Sequence, residues 1–308
     1  MNLLDIITRF YGLLRSYDGV PFWVLTPFRR LTRAIANFLL PMYLKSINNR
    51  IESSYTLKND KIVVSLTSFP GRINNVWQVI ICMLNQTLLP NEIILWLSKE
   101  QFPTADTIPY SLRNLEGDIF KIRMVDGDLR SHKKYYYTSL EYADVNVFLI
   151  DDDIYYPSTL IEKTWKEYII HENAVVCNFG FFINYEGDGT MKSYNTWSPC
   201  YTKANEGNLF FGSGGGTMFK PSRMYKDLTN IELFSRLTPI ADDIWLNAMA
   251  RMAGMEIIIL KNGEILPIAN KNNSKLSSMN VGMGQNDVQL NNVCNYYKDT
   301  IIWEQTAK

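Results

Sequence analysis

Three consecutive carboxylates, Asp151, Asp152 and Asp153, follow an apolar run in the stretch "NVFLIDDDIYYP". Adjacent like charges repel one another, and a divalent cation with oxygen ligands, Mg²⁺ or Mn²⁺, would compensate them. If the extended backbone continues through the triplet, Asp151 and Asp153 point to one side and Asp152 to the other. The triplet therefore predicts a metal site of the Asp-x-Asp type. A solvated acidic loop, or a helix N-terminus carrying acids, is the alternative.

A second acidic pair, Asp242 and Asp243, occurs in "PIADDIWLNAMARM" and precedes apolar residues at helical spacing. One acid at this position would be explained as a helix N-cap. Two acids exceed what a cap requires. A carboxylate here could act as a general base, which an attacking hydroxyl group needs within hydrogen-bonding reach.

The stretch "DGDLRSHKK" contains another Asp-x-Asp, Asp126 and Asp128, which competes for the metal. The cations that follow it, Arg130, Lys133 and Lys134, are better suited to neutralising phosphate or carboxylate groups. His132 is expected to make a local polar contact rather than to act as a base.

The stretch "FFGSGGGTMF" has four glycines, Gly212, Gly214, Gly215 and Gly216. It is not a Walker A loop, because no Gly-Lys-Ser/Thr follows, and no helix obviously starts there. Glycine allows the backbone to approach a ligand closely, and a tight turn between strands is the alternative.

The elements that must position these residues alternate between strand and helix patterns. The predicted strands are "KIVVSLT", "NEIILWLS", "FKIRMVD" and "VNVFLID", with helices at "NNVWQVIICMLNQT" and "KKYYYTSLEYA". Further strands are expected in "AVVCNFGFFINYE", "GTMFKPS" and "EIIILKN", and a helix in "DDIWLNAMARMAG". This alternation predicts an α/β fold with a mostly parallel central sheet flanked by helices. The polar loops "TSFPGR", "DGDLRSHKK" and "DDDIYYP" should then open on one edge of the sheet.

Composition excludes several classes of protein. The 308 residues are 46% hydrophobic, enough for a large core, and 31 basic residues balance 31 acidic ones, so a general nucleic-acid binder is not expected. Four scattered cysteines and two histidines argue against a zinc site and against a Cys-His nucleophile pair. A reducing, cytoplasmic setting fits this cysteine usage.

Residues 1–50 differ from the rest, with seven basic residues against two acidic ones, interleaved with Leu, Ile, Phe, Trp and Tyr at helical spacing. We interpret residues 1–55 as a basic amphipathic helical extension and residues 56–308 as the catalytic domain. The extension could contact the inner face of the cell membrane peripherally, or it could pack on the main domain or on a second subunit.

Five of these stretches together, "VVSLTSFPGRI", "DLRSHKKYYY", "FLIDDDIYYP", "GSGGGTMF" and "ADDIWLNAMA", resemble bacterial nucleotide-sugar glycosyltransferases of the GT-A fold. The resemblance is to enzymes that build capsule or O-antigen polysaccharide, covers about residues 60–295, and does not extend to residues 1–50. It implies that Asp151 and Asp153 hold Mn²⁺ or Mg²⁺ on the donor diphosphate. It also implies that Asp152 contacts the ribose or the sugar.

The same resemblance assigns roles to other loops. Thr67 and Arg72 would bind the nucleotide, Lys134 with Asp128 would face the donor, and Gly214 and Gly215 would border donor sugar and acceptor. Asp243 would be the base, with Asp242 capping the helix or binding the acceptor, or the reverse. Enzymes of this fold often bring a late histidine to the metal, and this chain has none after His171. Asp287 could replace it, although capping of the helix "DVQLNNVCNYY" is the preferred interpretation.

These implications predict transfer of a sugar from a nucleoside-diphosphate donor, most often UDP-linked in similar enzymes, to a hydroxyl of a growing, lipid-linked glycan with inversion. Three alternatives stay open: a retaining transferase, a metal-dependent nucleotidyl or phosphoryl transferase, and a non-catalytic glycan-binding protein.

Overall fold

The computed structural model describes residues 2–14, 22–47, 54–171, 173–205, 207–260, 265–270, 284–298 and 303. The helices within these ranges are α1 (Leu3–Leu13), α2 (Phe22–Ser46), α3 (Val76–Leu84), α4 (Tyr110–Arg113), α5 (Lys133–Glu141), α6 (Leu160–Tyr168), α7 (Ile231–Leu237), α8 (Asp242–Met252) and α9 (Gln285–Tyr297). The strands are β1 (Ile62–Thr67), β2 (Glu92–Ser98), β3 (Phe120–Val125), β4 (Asn146–Ile150), β5 (Ile154–Tyr155), β6 (Ala174–Cys177), β7 (Gly180–Phe182), β8 (Ser198–Pro199), β9 (Leu209–Phe211), β10 (Gly215–Phe219), β11 (Glu256–Ile259) and β12 (Leu266–Pro267).

Seven of these strands form one sheet in the order β11-β6-β10-β4-β1-β2-β3. Strands β4, β1, β2 and β3 are parallel neighbours, and β11 is parallel to β6. Strand β10 lies between β4 and β6 and runs antiparallel to both. The predicted α/β class with a mostly parallel central sheet, flanking helices and N-terminal helices is confirmed, and it is the architecture that the GT-A resemblance implied.

The sheet is buried on both faces, as parallel sheets generally are. Alternate residues of a strand face opposite sides, so Phe148 and Ile150 of β4 join one apolar cluster, while Val147 and Leu149 join the other. The first cluster includes α3 and the second includes α8. This burial explains why the predicted strands are almost continuously apolar.

The predicted strand stretch "AVVCNFGFFINYE" contains two strands, β6 and β7. Strand β6 belongs to the central sheet, whereas β7 belongs to a separate three-stranded sheet in the order β8-β7-β9. The chain leaves the central sheet at Asn178, whose side chain donates to the carbonyl of Gly216 (2.8 Å). This departure places Phe179 against Gly212 and Gly215.

The N-terminal helices pack on the main domain. Five of their apolar residues are buried in the same cluster as β1: Leu4, Tyr11, Ala36, Leu40 and Leu44. Asp5 accepts hydrogen bonds from the backbone N–H and the hydroxyl of Ser158 (2.7 Å each). Asn37 donates to the carbonyl of Pro267 (3.2 Å) and accepts from the N–H of Ala269 (2.6 Å). The extension is therefore attached to the segment that follows the aspartate triplet and to the chain around β12.

The stretch "KNNSKLSSMNVGMGQND" is rich in Asn, Ser and Gly, a composition typical of a long loop. Residues 271–283 of it lie outside the described residues, and Gln285–Asp287 begin α9.

Candidate functional site

The polar loops meet at one edge of the central sheet, as predicted. Strands β1 and β4 are parallel neighbours, so the residues after Thr67 and those after Ile150 leave the sheet side by side. Strand β10 is antiparallel, and its first residue, Gly215, is paired with Ile150. The glycine-rich loop before β10 therefore reaches the same edge as the aspartate triplet.

The aspartate triplet is compensated partly by Ser68 and Arg72 from the loop after β1. Asp152 is buried, and it accepts hydrogen bonds from the Ser68 hydroxyl (2.5 Å) and the Arg72 guanidinium (2.8 Å). Arg72 also lies 3.1 Å from a carboxylate oxygen of Asp153. The expected nucleotide-binding arginine thus pairs with the triplet itself, and Ser68 is a participant that sequence reasoning missed.

The strict alternation expected for the triplet does not hold. Strand β4 ends at Ile150, and Asp152 and Asp153 lie in a turn, so the condition of a continued extended backbone is not met. Asp152 and Asp153 consequently share Arg72, whereas Asp151 pairs with a different cation.

That cation is Lys134, at the start of α5. Its ammonium lies 2.9 Å from a carboxylate oxygen of Asp151 and 2.9 Å from one of Asp242. The lysine side chain is almost fully buried. Burial alone would lower the pKa of Lys134, but the charges of Asp151, Asp242 and Asp243 raise it above its ordinary value. A permanently charged, buried lysine therefore joins the two acidic motifs that the sequence singled out.

Asp242 and Asp243 occupy the first turn of α8, and neither caps it. The N-cap position is Ala241, which provides no side-chain hydrogen bond to the helix. Instead the Ser213 hydroxyl donates to Asp242 (2.7 Å), and the Ser213 backbone N–H donates to Asp243 (2.8 Å). The capping interpretation is thus wrong for both acids, because their carboxylates turn toward the glycine-rich loop.

The glycine-rich loop approaches Asp151 so closely that a side chain could not fit. A Cβ atom at Gly214 would lie 1.8 Å from the Asp151 carboxylate, and one at Gly215 would lie 2.4 Å from Phe179. The backbone N–H of Asp151 donates to the carbonyl of Gly214 (3.1 Å). Gly216 has φ +94°, which a residue with a side chain rarely adopts. The glycines are therefore required by close packing and by backbone conformation.

Asp128 and Thr67, two further predicted ligand-binding residues, have partners within the chain. Asp128 forms an ion pair with Lys133 and accepts from the Gln101 side chain (2.7 Å). The Thr67 hydroxyl donates to the carbonyl of Trp96 on β2 (2.8 Å). The lysine that reaches the aspartate triplet is Lys134, while its neighbour Lys133 holds Asp128. Binding of a donor by Asp128 and Thr67 stays a prediction.

His132 makes a local polar contact, as expected. Its ring is buried, lies 2.9 Å from the Tyr135 hydroxyl and 2.6 Å from the carbonyl of Thr238, and stacks on Phe234. Burial lowers the pKa of His132 to about 4, so it is neutral at pH 7.

Asp287 lies in the first turn of α9 and accepts from the Ser193 hydroxyl and the Tyr194 backbone N–H (2.7 Å each). The N-cap position of α9 is Gly284, so Asp287 ties a loop to the helix rather than capping it.

The two acids of α8 have opposite pKa shifts. Burial would raise the pKa of Asp242, but the nearby charge of Lys134 lowers it to about 2. Burial and the adjacent charge of Asp242 raise the pKa of Asp243 to about 6. Such a separation of two neighbouring acids is a known property of acid–base sites. Asp242 is therefore a permanent anion, whereas Asp243 can exchange a proton near neutral pH.

The aspartate triplet fits a divalent cation by its charge and its donor atoms. Within the described residues, ion pairs join four of the five carboxylates of this edge, Asp151, Asp152, Asp153 and Asp242, to only two cations, Arg72 and Lys134, so negative charge is in excess. Burial and the charge of Asp152 raise the pKa of Asp153 to about 7. No group of three or more His, Cys, Asp or Glu side chains in the described part of the chain is arranged to hold a metal ion. Mg²⁺ commonly takes only one or two carboxylates together with substrate phosphates, which this arrangement can provide.

No protein-family model matches the chain, and no curated protein matches it. Among solved structures, S. aureus TarS 1–349 is similar at 14% identity and a TM-score of 0.41 over 67% of this chain. This chain spans only 59% of that TarS chain, which has also been solved in complex with UDP.

Two further solved structures are similar over more of this chain. The mannosyltransferase PcManGT from Pyrobaculum calidifontis, in complex with GDP-Man and Mn²⁺, has 12% identity and a TM-score of 0.44 over 96% of this chain and 76% of that one. A 4-diphosphocytidyl-2C-methyl-D-erythritol synthase has 9% identity and a TM-score of 0.40 over 72% and 99% of the two chains. Because all these TM-scores lie below 0.5, the function must be argued from the residues of this chain.

Proposed function

We propose that this protein is a metal-dependent glycosyltransferase that moves a sugar from a nucleoside-diphosphate donor to a hydroxyl group of a glycan. The observation that carries the proposal is the bridge made by Lys134 between Asp151 and Asp242. The bridge holds two acidic groups side by side. One is the aspartate triplet, which is suited to a cation and a diphosphate. The other is the pair Asp242 and Asp243, of which Asp243 is suited to accept a proton. Metal-dependent sugar transfer to a hydroxyl with inversion uses both.

On the donor side, Asp151 and Asp153 would hold Mn²⁺ or Mg²⁺. When bound, the cation supplies charge neutralisation for the departing diphosphate. Arg72, which lies against Asp152 and Asp153, is within reach of the same region and can pair with a phosphate oxygen. Asp152 is held by Ser68 and Arg72, so it would orient Arg72, while the cation would share Asp151 with Lys134 and Asp153 with Arg72.

On the acceptor side, Asp243 would act as the general base. The acceptor hydroxyl oxygen attacks the anomeric carbon of the donor, the bond from that carbon to the diphosphate oxygen breaks, and the hydroxyl proton passes to Asp243. A raised pKa suits this role, because a base is most effective when its pKa lies near the working pH. The Ser213 N–H fixes one oxygen of Asp243, and Lys134 keeps Asp242 ionised. A single displacement of this kind inverts the anomeric configuration.

The finer expectations are part of the same proposal. We take UDP as the donor nucleotide, the growing lipid-linked glycan of a capsule or O-antigen as the acceptor, and the cytoplasmic side of the cell membrane as the location. Residues 56–308 would be the catalytic domain and residues 1–55 the extension. A lipid-linked acceptor would fit the exposed apolar surface of the N-terminal helices.

Incubation with a panel of UDP- and GDP-sugars, Mn²⁺ and simple alkyl glycosides tests the proposal. We expect the wild-type protein to release the nucleoside diphosphate together with a new glycoside. Both products should be lost in Asp153→Asn and in Asp243→Asn, while both variants stay folded. Wild-type rates in both variants would refute it. NMR of the product anomer separates inversion from retention. Metal-dependent release of nucleotide without any sugar transfer would indicate a nucleotidyl or phosphoryl transferase instead.

A further inference from the structure

The helices α1 and α2 carry a second apolar face, opposite to the face that packs on the domain. In α2 the buried residues are Ala36, Leu40 and Leu44, one turn apart. Six of the eight exposed large apolar residues described in α2 recur in alternating steps of four and three: Val24, Phe28, Leu31, Ile35, Phe38 and Met42; the other two are Trp23 and Leu39. On a helix of 3.6 residues per turn these two sets lie on opposite sides.

The side chains of this face are strongly exposed to solvent. Phe38 and Met42 retain 71% and 63% of their accessible surface. Helix α1, which packs against α2, adds a matching stripe of exposed residues: Leu3, Ile6, Phe10 and Leu13. Exposed apolar residues grouped along two packed helices in this way mark an interaction site. We call these two stripes the N-terminal apolar face.

The net charge of α2 indicates what covers this face. Helix α2 carries four basic residues, Arg29, Arg30, Arg33 and Lys45, and no acidic residue. Arg30 and Lys45 are exposed, whereas Arg29 and Arg33 are half-buried on the side of Ala36 and Leu40, where Arg29 lies over the Tyr11 ring (4.2 Å). The one acidic side chain of α1, Asp5, is already bound to Ser158 of the main domain. A second copy of the chain would bring two positively charged helices together, with no carboxylate on either α2 to neutralise them. An anionic lipid surface supplies the missing negative charge, and its acyl boundary accepts the aromatic and aliphatic side chains.

We therefore propose that the N-terminal apolar face docks on an anionic membrane surface, lying in the interface without crossing it. None of the helices in the described ranges is long and apolar enough to span a bilayer. The proposal extends the proposed function, since a transferase attached in this way would meet lipid-linked acceptors. It also stands on different residues from the transfer chemistry.

Co-sedimentation with vesicles tests the docking directly. We would compare equimolar phosphatidylglycerol and phosphatidylcholine vesicles with vesicles of phosphatidylcholine alone. The variant Phe28→Ser/Phe38→Ser removes two rings from the face. Tyr110→Ser/Ile170→Ser removes two large side chains from the main domain that are more exposed than Phe28 and about as exposed as Phe38, and is the matched control.

We expect the wild-type chain and the control to bind the anionic vesicles, and the Phe28→Ser/Phe38→Ser variant to bind them roughly tenfold more weakly. Added salt should weaken binding of the wild type, because exposed charges are screened over about 10 Å. Equal binding to both vesicle types, or wild-type binding by the Phe28→Ser/Phe38→Ser variant, would overturn the proposal. So would a dimer, detected by light scattering, that the same variant dissociates while vesicles bind neither protein. No nucleotide sugar is present in this assay, so its failure and a failure of glycosyl transfer are separate results.

Discussion

Lys134 and Asp242 form a buried ion pair in which the ammonium lies 2.9 Å from the carboxylate, and the same ammonium lies 2.9 Å from Asp151. These contacts connect the start of α5, the start of α8 and the end of β4. The aspartate triplet, proposed to manage the leaving group, is thereby joined to Asp242, the chain neighbour of Asp243, which is proposed to activate the acceptor.

Removal of the lysine charge should destabilise the fold. Lys134→Gln leaves the buried Asp242 without its counter-ion, and loss of one partner of a buried pair costs about 3–5 kcal/mol. We expect a decrease of this order in the free energy of unfolding, measured by urea denaturation. Lys99→Gln is the control, because Lys99 and its partner Asp126 are both exposed and should contribute less than about 1 kcal/mol.

The variant Lys134→Gln/Asp242→Asn should recover part of the loss, since it removes both members of the pair. If Lys134→Gln alone is as stable as the wild type, the ion pair does not hold the site together.

Asp243 should control the acid side of the pH–rate profile. As a base it must be ionised, so kcat/KM should fall as the pH drops below about 6, the value to which burial and Asp242 raise its pKa. Asp243→Asn should lower kcat by about 10²–10⁴-fold at pH 7. Asp106→Asn, at a fully exposed acid, is the matched control and should keep wild-type activity. A wild-type rate in Asp243→Asn would exclude Asp243 as the base.

The raised pKa of Asp243 affects the stability of the fold in the opposite direction to its effect on the reaction rate. Between pH 3.8 and about 6 the folded chain binds a proton on Asp243 more tightly than the unfolded chain does. The contribution of Asp243 to the free energy of unfolding therefore falls as the pH rises through this window. In Asp243→Asn the side chain does not titrate. The free energy of unfolding of this variant, measured by urea denaturation, should therefore lack this fall with rising pH.

Gly214 should not tolerate a side chain. In Gly214→Ala the new Cβ would lie 1.8 Å from the Asp151 carboxylate, so the carboxylate or the loop must move. A displacement of about 1 Å at a reacting group can cost roughly 10²-fold in rate, and overpacking costs about 1–3 kcal/mol of stability.

Gly187→Ala is the control, because a Cβ there meets nothing within 4 Å. We expect kcat and the melting temperature to fall in the first variant and to stay unchanged in the second. Equal behaviour of the two variants would mean that the close approach at Gly214 has no role.

The sequence was sufficient to predict most of the sheet and its functional edge. Apolar runs such as "NEIILWLS" and "VNVFLID" form β2 and β4. They were recognisable because a strand that is covered on both faces of the sheet is apolar at nearly every position. The insertion of β10 between β4 and β6 was not predictable, since local patterns identify strands but not their neighbours.

Within the site, the acidic motifs were recognisable and their partners were not. Lys133 and Lys134 are adjacent in the chain but about 100° apart around α5, so only the folded helix shows that Lys134 reaches Asp151. Ser213 and Ser68 have no distinctive sequence pattern, yet they hold Asp242 and Asp152. Arg72 was expected to meet phosphate, and its pairing with two aspartates depends on the end of β4 at Ile150.

The most direct test of the central claim is the thermal stability of the protein with nucleotide sugars, measured with and without Mn²⁺. A UDP-sugar should raise the melting temperature only when Mn²⁺ is present. That increase should vanish in Asp153→Asn and persist in Asp243→Asn, each compared with its own baseline. An increase that needs no metal, or that Asp153→Asn retains in full, would contradict a metal-held donor diphosphate at the aspartate triplet.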